Sequence, residues 1–151
     1  MIISARGSRL WLTDPRDSWT VECDDEPTNN ITDLFILDGE LFLYGGKNDS
    51  HQQFAVNIGE TDIHGHGNLK YFNNTRGPPG PSFATKVWAL VTDTPYISFN
   101  GTRFLACQQS DGKYTAEVDF SNKDSGNGEG YISVDLWIDL VPEPTAYRYS
   151  E

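Results

Sequence analysis

Few residues in this chain have the types and spacing that chemistry requires. His64-Gly65-His66 is the best metal candidate. On a strand, residues two apart project to one face, so an H-x-H pair can chelate. A third ligand would have to be His51, Asp62 or Glu60. Gly65 and Gly67 argue for a loop instead, and no carboxylate follows at the short spacing of H-x-H metal barrels. The histidines are therefore expected on a solvent-exposed loop, with no bound metal.

Cys23 and Cys107 are the only cysteines. Two cysteines fit one disulfide, and they fit two buried thiols equally well. Both fall on expected strands, so pairing is favoured over a nucleophilic role. No G-x-S-x-G elbow is present. Gly45-Gly46-Lys47 lacks the full phosphate-loop spacing and precedes no helix. Asp135 and Asp139 lie among apolar residues, with Asp135 expected on the solvent face of its strand. Nothing in the spacing sets two carboxylates across a cleft, as a glycosidase needs. Asp24-Asp25-Glu26 reads as a solvated turn. The chain is thus expected to be a non-enzyme with no catalytic residue, cofactor or metal.

Charge narrows the partners. The 151 residues include 11 basic and 22 acidic ones, for a net charge of −11. Sequence-independent nucleic-acid binding needs the opposite sign, and an anionic membrane surface would repel the chain. Four acceptor sequons begin at Asn30, Asn48, Asn73 and Asn100. Composition alone would give roughly 1.5 of these. The excess points to a secreted glycoprotein, a setting in which a disulfide is stable.

The elements that would position such residues read as strands. Leu10 and Leu12, then Trp19, Val21 and Cys23, are period-two sets. So are Leu41 and Leu43, then Phe54, Val56 and Ile58, and further on Phe104 and Ala106, then Tyr114, Ala116, Val118 and Phe120. Residues 131–138 read as one alternating strand with Ile132, Val134, Leu136 and Ile138 on one face. Segments 34–37, 83–91 and 95–99 are also β-compatible. The nearly continuous apolar run of 86–91 suggests a central strand. Asp38-Gly39, Asn100-Gly101 and Asp111-Gly112 are favoured turn chemistry, and the last two predict hairpins. No capped amphipathic stripe suggests a helix.

A weak repeat opens at Gly7, Gly39 and Gly101, each followed by a β-run. It reads as ordinary hairpins, or as a degenerate three-fold plan. With 37% apolar and 13% aromatic residues a core is available. The expected fold is all-β, a single antiparallel sandwich or barrel of hairpins over 1–151, with a β-trefoil second. Loops are expected near 76–81 and 121–130, and a tail at 142–151. Arg76-Gly77-Pro78-Pro79-Gly80-Pro81 cannot form a ladder, because three of its residues lack an N–H. This stiff loop, standing off the body, is the favoured partner-binding element. Trp11, Trp19, Trp88 and Trp137 all fall on strands, where core packing is expected.

Three pieces of sequence carry a family resemblance. They are Ser4-Ala5-Arg6-Gly7-Ser8, then Arg103-Phe104-Leu105-Ala106-Cys107-Gln108 with Tyr114-Thr115-Ala116-Glu117-Val118 after a turn, and the ending Val134-Asp135-Leu136 with Pro144-Thr145-Ala146-Tyr147-Arg148-Tyr149. Together they resemble the small secreted cell-wall proteins of filamentous fungi, the phialide-associated type. The resemblance implies a secreted, often glycosylated, non-enzymatic protein of the fungal wall or the apoplast. It opens two functions. One is an effector that binds and inhibits a host protein such as a papain-like cysteine protease. The other is a structural or glycan-contacting wall glycoprotein that binds polysaccharide.

Overall fold

The computed structural model describes residues 1–14, 32–45, 52–59, 65–120, 130–140 and 142. Their regular elements are strands, plus one 3-10 turn at Asn74–Arg76. The strands are β1 (Ile2–Arg6), β2 (Arg9–Thr13), β3 (Leu34–Leu37), β4 (Glu40–Leu43), β5 (Gln52–Asn57), β6 (His66–Gly67) and β7 (Leu69–Asn73). They continue with β8 (Phe83–Ala84), β9 (Trp88–Leu90), β10 (Tyr96–Phe99), β11 (Phe104–Gln108), β12 (Tyr114–Asp119), β13 (Tyr131–Val134) and β14 (Leu136–Trp137).

All strand pairs are antiparallel. A large sheet runs β1-β2-β12-β11-β13, a second runs β3-β4-β5-β7, and a small one runs β14-β10-β9. β11 covers one edge of β12 throughout, so the other edge is shared by β2 at its start and β6 at its end. β5 repeats the plan, with β7 on one edge and β4 then β8 along the other. No sheet closes into a barrel among the described residues, and the arrangement is sandwich-like.

One apolar cluster draws on all three sheets. The large sheet contributes Ala5, Leu10, Leu12, Phe104, Ala106, Ala116 and Val118. The second contributes Leu41, Leu43, Phe54, Val56, Leu69 and Tyr71, and the small one Trp88, Ile97, Phe99 and Leu136. Residues facing one another across a ladder share a face, so the period-two sets of the sequence become this interior. Trp88 sits at its centre, its ring centroid 5.0 Å from that of Phe99 and 6.2 Å from that of Phe104.

The three glycines of the repeat mark one kind of turn. Gly7 with Ser8, Asp38 with Gly39, and Asn100 with Gly101 all have positive φ at both central positions. That is the two-residue type I′ turn, whose twist matches that of the strands it joins. The first two close full hairpins, β1–β2 and β3–β4. The third closes only the single bridge Phe99↔Thr102, because β10 belongs to the small sheet and β11 to the large one. The Asp111-Gly112 turn does close a full ladder, β11–β12.

Two expectations need correction. Residues 86–91 do not form a central strand. Only Trp88–Leu90 is extended, at the edge of the small sheet, and Val87, Leu90 and Val91 are exposed. Residues 131–138 are not one strand either. β13 ends at Val134 in the large sheet and β14 begins at Leu136 in the small one. Ile132, expected inside, is 48% exposed.

Candidate functional site

Leu90, Val91 and Leu140, all exposed, gather where the small sheet ends. β9 leads into a tight connection in which Val91 N donates to Tyr96 O and Thr94 N to Val91 O. Ile138 N donates to Pro95 O, which carries the β14 segment past that connection. Between them lies a hollow of roughly 500 Å³, lined by Leu90, Val91, Thr92, Asp93, Thr94, Pro95, Ile138 and Leu140. Asp93 is its one ionisable residue.

Register fixes what lies on the other face of this sheet. Tyr96 is opposite Trp137, while Ile97, on the core side, is opposite Leu136. Trp137 therefore points away from the interior and is 58% exposed. The Tyr96 ring meets it edge to face, with centroids 5.2 Å apart and planes at 86°. Strand patterning had put Trp137 in the core. Alternation runs straight through the change of sheet at Asp135, with Val134, Leu136 and Ile138 turned toward the core and Asp135 and Trp137 turned outward, and only Trp88 of the described tryptophans is fully buried. Trp11 is half-buried, with its Nε1–H donating to Arg6 O at 3.0 Å.

The proline loop is more firmly held than its sequence suggests. Gly77 N donates to Asn74 O, Phe83 N to Gly80 O, and Ile58 N to Ser82 O. These bonds tie both ends of residues 76–81 to the second sheet. Arg76, Pro78, Pro79 and Pro81 stay exposed, and Gly77 and Gly80 are half-buried. Asn73 caps the turn before the loop, its Oδ1 accepting from Thr75 N at 3.0 Å and from Thr75 Oγ1 at 2.7 Å. Asn100 is exposed at the tip of its turn. Asn30, Asn48, Cys23, His51, Glu60, Asp62, His64, Trp19, residues 121–129 and most of the expected tail lie outside the described residues.

His66 overturns the expectation of a solvent-exposed loop. It is 4% exposed, on β6, opposite Asp119 of β12. Gly67 allows this close packing, since a Cβ there would collide with the Phe120 ring and lie 2.9 Å from Val56 Cγ1. Cys107 is also buried, on β11, and is the one cysteine among the described residues. His66, Cys107 and Glu117 point to the same side of the large sheet, with their ligand atoms all within 4.8 Å of one another. Sequence reasoning missed this cluster, because only the β6–β12–β11 register brings the three together. Asp135 is exposed as expected, and Asp139 is exposed as well.

The family model for PhiA-like secreted proteins matches residues 1–150. The chain belongs to that family. It is a secreted protein of the phialide-associated cell-wall type, extracellular or wall-resident. No curated protein matches the chain, and no solved structure does.

Proposed function

We propose that this secreted protein contacts the wall through an uncharged polysaccharide that stacks on Trp137. The observation behind this reading is the exposed indole, braced at its edge by Tyr96. A ring fixed on a strand offers a flat apolar face at little entropic cost, and a sugar ring presents a matching apolar C–H face. The chain's net charge of −11 disfavours acidic polymers, so a neutral glucan or chitin is the expected ligand. The expected experiment is co-sedimentation with insoluble β-glucan and chitin. Retention by one of them, lost in Trp137→Ala and reduced in Tyr96→Ala, supports the reading. Equal retention of wild type and Trp137→Ala overturns it.

A second reading is an effector that inhibits a host protein such as a papain-like cysteine protease through residues 76–81. Three exposed prolines on a loop tied at both ends favour it, because such a loop loses little freedom on binding. Replacing 77–81 with Gly and Ser would then abolish capture and inhibition of the protease while leaving polysaccharide retention intact.

A further inference from the structure

We infer that His66, Cys107 and Glu117 form a site for a divalent transition-metal ion, zinc by the chemistry of the donors. Alternation across the ladders puts all three on the face of the large sheet opposite the main apolar cluster. Glu117 is opposite Leu105, Cys107 is opposite Thr115, and His66 is opposite Asp119. Odd-numbered residues of β11 and β12 therefore share that face with His66. His66 and Cys107 are 4% and 3% exposed, and Glu117 is half-buried.

One imidazole, one thiolate and one carboxylate make a mixed N, S, O set, which suits borderline zinc better than calcium or magnesium. Ligand atoms around tetrahedral zinc lie roughly 3.5 Å apart. The ligand atoms here all lie within 4.8 Å of one another, so side-chain rotation on binding has to bring them to that spacing. Three protein ligands leave a fourth position, which water can take. Binding replaces the thiol proton: Cys107–SH and Zn²⁺ give a Cys107–S⁻–Zn²⁺ bond and a released H⁺.

The surroundings are built to hold these donors. The Tyr131 ring packs on the His66 imidazole with centroids 4.4 Å apart. Gln109 Nε2 donates to Cys107 O at 3.1 Å and to Thr115 Oγ1 at 2.9 Å, which fixes the backbone that carries the sulfur. Outer contacts of this kind orient metal ligands. A chain of net charge −11 also raises the local concentration of cations.

The site competes directly with the Cys23–Cys107 bridge expected from the sequence, and this makes it testable. The full chain, purified after secretion from a eukaryotic host, would be alkylated in denaturant with chelator and mapped by peptide mass. A free Cys107 thiol is expected, and Cys107 joined to Cys23 overturns the proposal. The folded protein would then be titrated with Zn²⁺ alone against a chromophoric chelator. One equivalent should bind. His66→Gln and Glu117→Gln should each weaken it by at least the roughly 10–100-fold that loss of an outer-shell partner costs. Unchanged affinity in both overturns it. Co²⁺ on the wild-type chain gives a readout free of any folding defect: a thiolate-to-cobalt charge-transfer band is expected, and its absence overturns the proposal.

Discussion

Arg103 and Asp135 are joined by two parallel bonds, Nε to Oδ1 and Nη2 to Oδ2, each 2.9 Å long. Both residues stand at places where the chain changes sheet. Arg103 lies between β10 of the small sheet and β11 of the large one, and Asp135 lies between β13 of the large sheet and β14 of the small one. The pair thus fastens two crossings to each other. The side chains are 56% and 39% exposed, so water and salt weaken the attraction. A double-mutant cycle with Arg103→Ala and Asp135→Ala should give a coupling of about 0.2–1 kcal/mol. Denaturant melts in low and high salt would check it, with the coupling shrinking at high salt.

Trp88 carries a larger share of stability. It is 2% exposed and packs against Phe54, Phe99 and Phe104. Trp88→Ala should cost about 3–5 kcal/mol, the range for deleting a large buried ring. Its indole Nε1–H is buried with no acceptor among the described residues. Trp88→Phe removes that orphaned donor along with some volume. Its cost should therefore be much smaller, below about 2 kcal/mol. Urea denaturation of both variants tests the difference. Equal losses would mean that the N–H is satisfied by water.

Local chemistry was legible in the sequence where it was decided locally. Asn100-Gly101 and Asp38-Gly39 announced left-handed turns, and both adopt them. The buried rows of β2, β4, β11 and β12 followed from alternation. Sheet membership was not legible, because a strand that changes sheet at Asp135 keeps the same alternating pattern on either side. The run 86–91 misled for a related reason. A nearly apolar run does not say which element its side chains face, and here Leu90 and Val91 line an open hollow rather than a core. His66 was misplaced because the flanking glycines were read as loop formers. Gly67 in fact gives room for Phe120 and Val56.

That last contact makes Gly67 a sharp test of packing. A methyl group at this position has no free space, and the atoms it would meet belong to ring and branched side chains rather than to a flexible tip. Gly67→Ala should destabilise by about 1–3 kcal/mol, as overpacking does. It should also shift His66, its neighbour on β6, and so disturb the cluster with Cys107 and Glu117. Thermal unfolding measures the first effect. The imidazole and Tyr131 ring resonances in an NMR spectrum report the second.

Val87 is a different kind of irregularity. It is β-branched yet has φ of 78°, where such side chains are rarely found. Its carbonyl accepts from Asn100 N at 2.8 Å, which holds the backbone in place beside the third turn. The side chain is 50% exposed, so removing it sacrifices little packing. Val87→Gly should relieve a strain of order 1–3 kcal/mol, partly offset by about 1 kcal/mol of added freedom in the unfolded chain. The net expectation is a neutral to modestly raised melting temperature. A clear loss would show that the Val87 side chain contributes packing its exposure does not reveal.

Asn73 is expected to carry a glycan. Its Oδ1 is engaged by the backbone and hydroxyl of Thr75, the third residue of its own sequon, which leaves Nδ2 as the atom for attachment. Asn100 is exposed but also supplies the left-handed turn, so the two sites need different variants. Thr75→Ala removes the first acceptor, and Asn100→Asp removes the second while keeping a residue that tolerates positive φ. Each should lower the mass of the secreted protein by one glycan, read by intact mass before and after enzymatic deglycosylation. Loss of the Asn73 glycan should leave polysaccharide retention unchanged, because Asn73 ends β7 in a different sheet from Trp137. It should instead raise the accessibility of residues 76–81 to a protease, since a glycan on Asn73 would stand at the root of that loop. A retention that fell with Thr75→Ala would place the sugar contact on the second sheet and count against Trp137.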